Sequence, residues 1–401
     1  MVTGERCYGC SACIHKCPEN AITFIQDKEL FRRIRVDMDR CIGCGICDLV
    51  CPINSIKLKA PVAMFVGYHT QKKEILKSAS GGAAQAFSQY MIENDGYICG
   101  VEWNKDFSGA HHIIVKNKDS IKKIQGVKYV QSDPGNTFAE INILLQKKRQ
   151  ILFFGTPCEC AGLKKYVGEE NENLLTCELI CQGTTTDAVL SQWIQSVSKG
   201  GRIERLFLRY QDFFHRDSEH FIVLVEIRRR IFKLFEVIKK LHFDFAETDY
   251  GYAFFNYKRP ECYQCQFKGG SVSDITIGDC WRIDKAYPFY NKTGTSLIVC
   301  NTKKGREFVL NQDQLHLWEA DMSVLDGNQR WRSPIPENEK REKFKDMFIS
   351  KGLKEAVSSM RPKTWKTYVS RMIPWYIKKN ILHMGKRVIP YDETNRYRRL
   401  S

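Results

Sequence analysis

Apolar positions along this chain come in short runs, and none approaches the ~18–20 residues that a membrane span requires. From Ala83 an apolar-periodic stretch continues through Tyr90 and Met91 and reads as a helix, opened by the small residues Ser78-Ala79-Ser80-Gly81-Gly82. Tyr97-Ile98-Cys99-Gly100-Val101 and Ile151-Leu152-Phe153-Phe154 read as strands. The second ends in Gly155-Thr156-Pro157-Cys158, which predicts a tight loop carrying Cys158 at a strand's carboxyl end. Ile227, Ile231, Leu234, Phe235 and Ile238 fall on one face of a helix expected over 226–241, leaving Arg228-Arg229-Arg230 as a solvated face. No nucleic-acid-binding motif accompanies that triplet, so no nucleic acid is expected as a partner. His111 and His112, adjacent on an extended segment, point opposite ways and do not make a metal pair.

From about Pro334 the pattern changes. Trp365, Tyr368, Met372, Trp375, Tyr376, Ile377 and Ile381 alternate with Lys363, Lys366, Arg371, Lys378 and Lys379, a basic helical tail interrupted at Pro374. Such a segment suits an anionic membrane surface or an acidic partner; the alternative is a helix packed on the body with its cationic face in water.

Composition narrows the class. The 401 residues are 43% hydrophobic and 27% charged, a globular balance long enough for two or three domains. No apolar signal segment precedes the first cysteines, so the expectation is cytoplasmic, with peripheral contact at the inner membrane face through the tail. Seventeen cysteines, an odd number, fit metal binding in a reducing compartment better than a disulfide framework. The net charge is +16, of which residues 361–401 supply +9. Each bound [4Fe–4S] centre carries about −2 when oxidised, so three such centres would lower the total to roughly +10.

The N-terminal sixty residues are specific. Cys7-x2-Cys10-x2-Cys13-x3-Cys17-Pro18 is repeated 34 residues later as Cys41-x2-Cys44-x2-Cys47-x3-Cys51-Pro52. This is the bacterial ferredoxin run, in which three close thiolates hold one [4Fe–4S] cube and the fourth reaches the other cube. The expected sets are Cys7, Cys10, Cys13 and Cys51 for one cluster, and Cys41, Cys44, Cys47 and Cys17 for the other. Gly9, Gly43 and Gly45 let the backbone wrap the sulfurs, and Ile14, Ile22, Phe24, Ile42, Ile46 and Ile53 can cover the cubes. Two four-member runs each ending Cys-Pro do not suit tetrahedral zinc.

Further motifs follow in one order: Ser78-x-Ser80-Gly81-Gly82, Lys128-Tyr129-Val130-Gln131-Ser132, Gly155-Thr156-Pro157-Cys158 with Ala161-Gly162-Leu163, Cys181-x-Gly183, Cys262-x2-Cys265, and Gly278-Asp279-x-Trp281. Together they resemble the beta subunit family of coenzyme F420-reducing hydrogenases and dehydrogenases, over roughly Val62 to Arg306. The resemblance implies an FAD- and iron–sulfur-dependent oxidoreductase that exchanges a hydride with a deazaflavin, coenzyme F420 being the expected substrate. It implies a third [4Fe–4S] cluster on Cys158, Cys181, Cys262 and Cys265, although the last pair alone would also suit half a zinc site. It implies FAD binding by Ser80, Gly81, Gly82, Lys128, Tyr129, Gln131, Ser132, Gly155 and Thr156. Gln182 stands where the family pattern has histidine. Cys99, Cys160, Cys177, Cys280 and Cys300 are expected as small buried side chains. No catalytic residue is assigned, and Cys158 has no histidine in its motif to make it a nucleophile.

The expected architecture is α+β: a ferredoxin-type domain at 1–60, the N-terminal part of a mixed α/β flavin- and cluster-binding domain at 61–140, its C-terminal part at 141–333, and the basic tail at 334–401. The chain is expected to work anaerobically with a redox partner protein and a hydride-carrier substrate. Two other readings are a flavin-free ferredoxin-type electron-transfer subunit, and a relative acting on a non-deazaflavin substrate in surface-polysaccharide assembly.

Overall fold

Each cysteine run makes the same local turn, a left-handed residue followed by a short helix. Ser11 at φ 68° precedes the helix Ala12–Lys16, and Gly45 at φ 73° precedes Ile46–Leu49. These elements belong to a computed structural model describing residues 6–168, 170–211, 221–231, 235–283, 285–361 and 399–400. The hairpin β1 (Ile22–Gln26) and β2 (Arg32–Val36) completes the N-terminal module.

The strands that follow are β3 (Ala63–His69), β4 (Tyr97–Trp103), β5 (Ala110–Val115), β6 (Ser132–Asp133), β7 (Ile151–Gly155), β8 (Leu174–Leu179), β9 (Arg202–Phe207), β10 (Ile222–Ile231), β11 (Phe235–Asp244), β12 (Ile275–Asp279), β13 (Ser296–Cys300) and β14 (Leu315–Glu319). Nine of them form one sheet in the order β14-β3-β13-β12-β8-β7-β4-β5-β6; β11-β10-β9 form a second, antiparallel sheet. The fold is α+β.

In the large sheet β4, β7, β8 and β12 run parallel, and β3, antiparallel to β13 as β12 is, runs with them. Their carboxyl ends therefore share one edge. The segments that open β13 at Ser296 and β6 at Ser132 reach the same edge from the other direction. Open sheets of this kind place ligands there, because the connections that leave strand ends can diverge and leave a crevice.

Two expectations about local structure are corrected. Residues 226–241 are not a helix but most of the β10–β11 hairpin. The helical spacing of Ile227, Ile231 and Ile238 loses to the aliphatic, mostly β-branched run Ile222-Val223-Leu224-Val225, which buries itself against β9. The arginines then pair across strands, Arg228 with Glu204 and Glu236 at 2.8 Å each, and Arg230 with Glu236 at 3.4 Å. Cys158 sits not on a loop but in the first turn of the helix Pro157–Val167. Pro157 suits the first helical position, and Thr156 with Glu159 closes a capping box.

The N-terminal module is built into the body. Tyr8, Ala12, Cys13, Ile22 and Ile34 share one buried cluster with Phe138, Phe153, Leu163 and Phe267. Phe31, from the β1–β2 turn, is 1% exposed and packs on Tyr257. Arg259, also buried, donates to the carbonyls of Cys7 and Arg32 at 2.9 Å and to Gln131 at 2.6 Å. Towards the C-terminus two helices, Arg341–Lys351 and Leu353–Met360, pack on the body. The alternating residues from Lys363 to Ile381 lie outside the described residues. Among the described residues no helix is long and apolar enough to cross a membrane.

Candidate functional site

Twelve cysteines gather in three sets. Cys17, Cys41, Cys44 and Cys47 line one cavity with Ile22, Val36, Ile42 and Ile46. This cavity opens outward: Cys44 is exposed, and Ile42 beside it is 65% exposed. Cys7, Cys10, Cys13 and Cys51 form the second set. Burial pushes the Cys10 thiol well above its usual range, and the nearby Cys13, Cys7 and Cys51 add to the shift. The Cys13 thiol is pushed up to about 12, again by burial first and then by Cys7 and Cys51. Burial and close neighbours oppose ionisation of Cys10 and Cys13; a bound cation removes that penalty, since the thiolate is the ligand form.

The third set lies inside the body. Cys158 is within electrostatic reach of Cys181 and Cys265, and Cys262 of Cys181 and Cys265. Burial is the largest cause of the upward shift in each, and Cys262 reaches about 12. Cys181 leaves β8, Cys158 leaves β7, and the helix Pro260–Tyr263 with the following turn brings Cys262 and Cys265.

Donors and shape at the sulfurs suit iron–sulfur ligation. Gly9 N–H donates to Cys7 Sγ, Ala21 N–H to Cys17 Sγ and Gly183 N–H to Cys181 Sγ, each at 3.3 Å. Such N–H···S bonds stabilise thiolate and lower the cost of placing negative charge in a poorly hydrated site. A Cβ on Gly183 would lie 2.7 Å from Cys262 Cβ, so the glycine admits the ligand loop. Among the described residues no three His, Cys, Asp or Glu side chains close on a single-ion position.

The three sets are in succession. Gly162, in the helix that begins with Cys158, packs so closely on Cys10 that a Cβ there would lie 2.8 Å from its Sγ. Tyr8, next to Cys7, feels Cys265, Cys158 and Cys262, and its hydroxyl bonds to the backbone of Gln264 and Gln266. Sequence reading missed Tyr8 and Arg259; their adjacency to Cys7 and to the Cys262 pair was the available signal.

The nine residues expected at FAD all reach the carboxyl edge, but their polar atoms are largely spent on protein. Ser80 Oγ donates to Thr295 O at 3.0 Å, and a Cβ on Gly81 would strike Ser296 N at 2.5 Å. Gly82, at φ +92°, caps the helix Ala83–Glu93. Lys128 Nζ donates to Gln125 O at 2.7 Å, and burial pulls its ammonium down to about 7. Gln131 donates to Tyr8 O, and Ser132 Oγ donates to Glu159 at 2.6 Å. Thr156 is tied to Glu159, while Gly155 ends β7. Tyr129 packs on Phe245 and Phe254, and its hydroxyl meets Arg209. Arg209, unanticipated from sequence, is held by both oxygens of Asp279 at 2.8 and 3.1 Å and lies over Phe221.

Cys99, Cys160, Cys177, Cys280 and Cys300 are all buried. Cys177 lies in the sheet interior on β8, apart from Cys181.

Two family models match parts of the chain. The family described as the C terminus of the beta subunit of coenzyme F420 hydrogenase/dehydrogenase matches residues 148–322, and the 4Fe-4S dicluster domain matches residues 1–58. Residues 1–58 are thus similar to a 4Fe–4S dicluster domain, and residues 148–322 to the C terminus of the F420 hydrogenase/dehydrogenase beta subunit. The family part spans Cys158, Cys181, Cys262 and Cys265, and the dicluster domain spans all eight cysteines of the two runs. A chain of the F420-reducing [NiFe] hydrogenase complex from Methanosarcina barkeri aligns at 13% identity and a TM-score of 0.42, covering 76% of this chain and 93% of that one. No curated protein matches. Similarity to these two domains points to iron–sulfur electron transfer.

Proposed function

We propose that this chain is an iron–sulfur oxidoreductase subunit that conducts electrons through three [4Fe–4S] clusters, from an exposed site to one inside the sheet domain. The observation that carries this reading is the succession of thiol sets. It runs from the cavity at Cys44 to the set around Cys10, and across Tyr8 and the Gly162 contact to Cys158, Cys181, Cys262 and Cys265. Clusters, when bound, supply one-electron transfer. The residues do the rest: the outer cavity leaves its ligands open to a redox partner, while Tyr8, Phe267 and the Pro157–Val167 helix exclude water from the inner two.

A flavin would add exchange between single electrons and hydride, which is the chemistry a deazaflavin such as coenzyme F420 requires. Among the nine residues expected at FAD, the side chains of Gln131, Ser132, Thr156, Ser80 and Lys128 bond within the protein. That observation favours, as a second reading, a flavin-free electron-transfer subunit. A hydride carrier outside the deazaflavins, including one in surface-polysaccharide assembly, belongs with the first reading.

The test is anaerobic purification followed by iron, sulfide and flavin analysis, with a low-potential donor and coenzyme F420 supplied. About twelve irons with FAD and turnover support the flavoenzyme. About twelve irons without flavin leave the electron-transfer subunit, and about eight irons overturn the third cluster.

A further inference from the structure

Lys258 is fully buried, and its ammonium has no hydrogen-bond partner. Its Nζ lies 3.8 Å from the centroid of the Phe254 ring. A cation taken out of water is costly unless a counter-charge stands near it, and one ring face returns only part of that cost. The neighbouring cations, Arg330 and Lys268, make matters worse, and the groups that favour its charge are Cys262 and Cys181 in their thiolate form, the form that ligates metal. The packing is intimate: a Cβ at Gly183 would lie 3.2 Å from Lys258 Cδ and 3.3 Å from Cys262 Sγ. Lys268, by contrast, is engaged by the carbonyls of Cys181 and Arg330.

We propose that Lys258 is the counter-charge of the centre held by Cys158, Cys181, Cys262 and Cys265, and that it raises the reduction potential of that cluster. The inference rests on the reading that these four cysteines hold a [4Fe–4S] cluster. With four thiolates such a cluster carries about −2 oxidised and −3 after taking one electron. A fixed positive charge in a poorly hydrated site favours the more negative state, so Lys258 makes this cluster the better acceptor. Electrons arriving through the ferredoxin-type module therefore settle there. Lys258 is a positioning residue in this sense: it touches no substrate and acts through the cluster.

The experiment is a redox titration followed by electron paramagnetic resonance on the anaerobic full-length holoprotein and on K258M, K258Q and K258R, with iron counted in each. Expected are about twelve irons throughout and a third-cluster signal shifted negative in K258M and K258Q by about tenfold in its equilibrium, ~59 mV for one electron. K258R should titrate as the native protein, and the two ferredoxin-type signals should not move in any variant. An unmoved third signal in K258M and K258Q overturns the inference, as does a shift in K258R equal to theirs, which would mark a packing role. If K258M and K258Q retain only about eight irons while K258R keeps twelve, the charge is needed to hold the cluster and the assignment stands. Loss in all three variants overturns it. About eight irons in the native protein would remove the cluster reading itself, and the inference with it.

Discussion

Gly162 shows how one missing atom joins two parts of this protein. Its position in the Pro157–Val167 helix leaves 2.8 Å between a would-be Cβ and Cys10 Sγ, and 2.9 Å to Cys10 Cβ. Neither neighbour can yield freely, because Cys10 stands in the loop that Gly9, Gln131 and Arg259 secure. Gly162→Ala should therefore displace the ligand loop at a cost of about 1–3 kcal/mol, and larger side chains should cost more. Chemical denaturation of the anaerobic protein, with iron counted, checks this; unchanged stability and iron would show that the helix can retreat. The same scale explains why the cysteines outside the three sets are inert. Cys177 and Cys300 face the sheet interior, and burial pushes both thiols up, away from the nucleophilic form.

Among the elements, the Pro157–Val167 helix does the most. It begins one residue after β7, carries Cys158 in its first turn and presses Gly162 on Cys10. Its start is held by Thr156 Oγ and N–H, both bonded to Glu159 Oε2 at 2.9 and 2.8 Å, while Ser132 reaches the other oxygen. Thr156→Ala removes the cap and should cost about 1 kcal/mol of stability, read as a lower denaturation midpoint. An unchanged midpoint would mean that Glu159 and Pro157 suffice. The β10–β11 hairpin carries the opposite lesson. Its sequence satisfies a helical period, and only the partner strand β9 makes the extended form the better burial.

Across the whole molecule, the N-terminal module is an integral layer rather than a tethered carrier. Phe31 enters the aromatic cluster of Tyr257 and Phe344, Tyr257 hydroxyl donates to Glu29 O at 2.7 Å, and Arg341 reaches Glu29. Phe31→Ala should cost about 3–5 kcal/mol. It should also loosen the module from the body, seen as faster cleavage by trypsin around Lys57 and Lys59. Unaltered cleavage would show that the shared core around Tyr8 holds the module without it. A fixed module matters for function, because electron transfer falls steeply with separation and the inner thiol sets must keep their neighbours.

Spacing was enough to mark residues 1–58 as a dicluster-type segment, because each cysteine run makes a local turn whose geometry depends on nearest neighbours in the chain. The helix from Ala83, the strands at Tyr97 and Ile151, and the burial of the five remaining cysteines were legible for the same local reason. Contacts distant in sequence were not. Tyr8 meets the Cys265 loop across more than 250 positions, Arg259 joins Cys7 to Gln131, and Lys258 becomes an unpaired buried charge only once residues 181–183 pack on it. Local pattern states which residues a segment offers; long-range packing decides which of them lose their water, and with it the charges that need a partner.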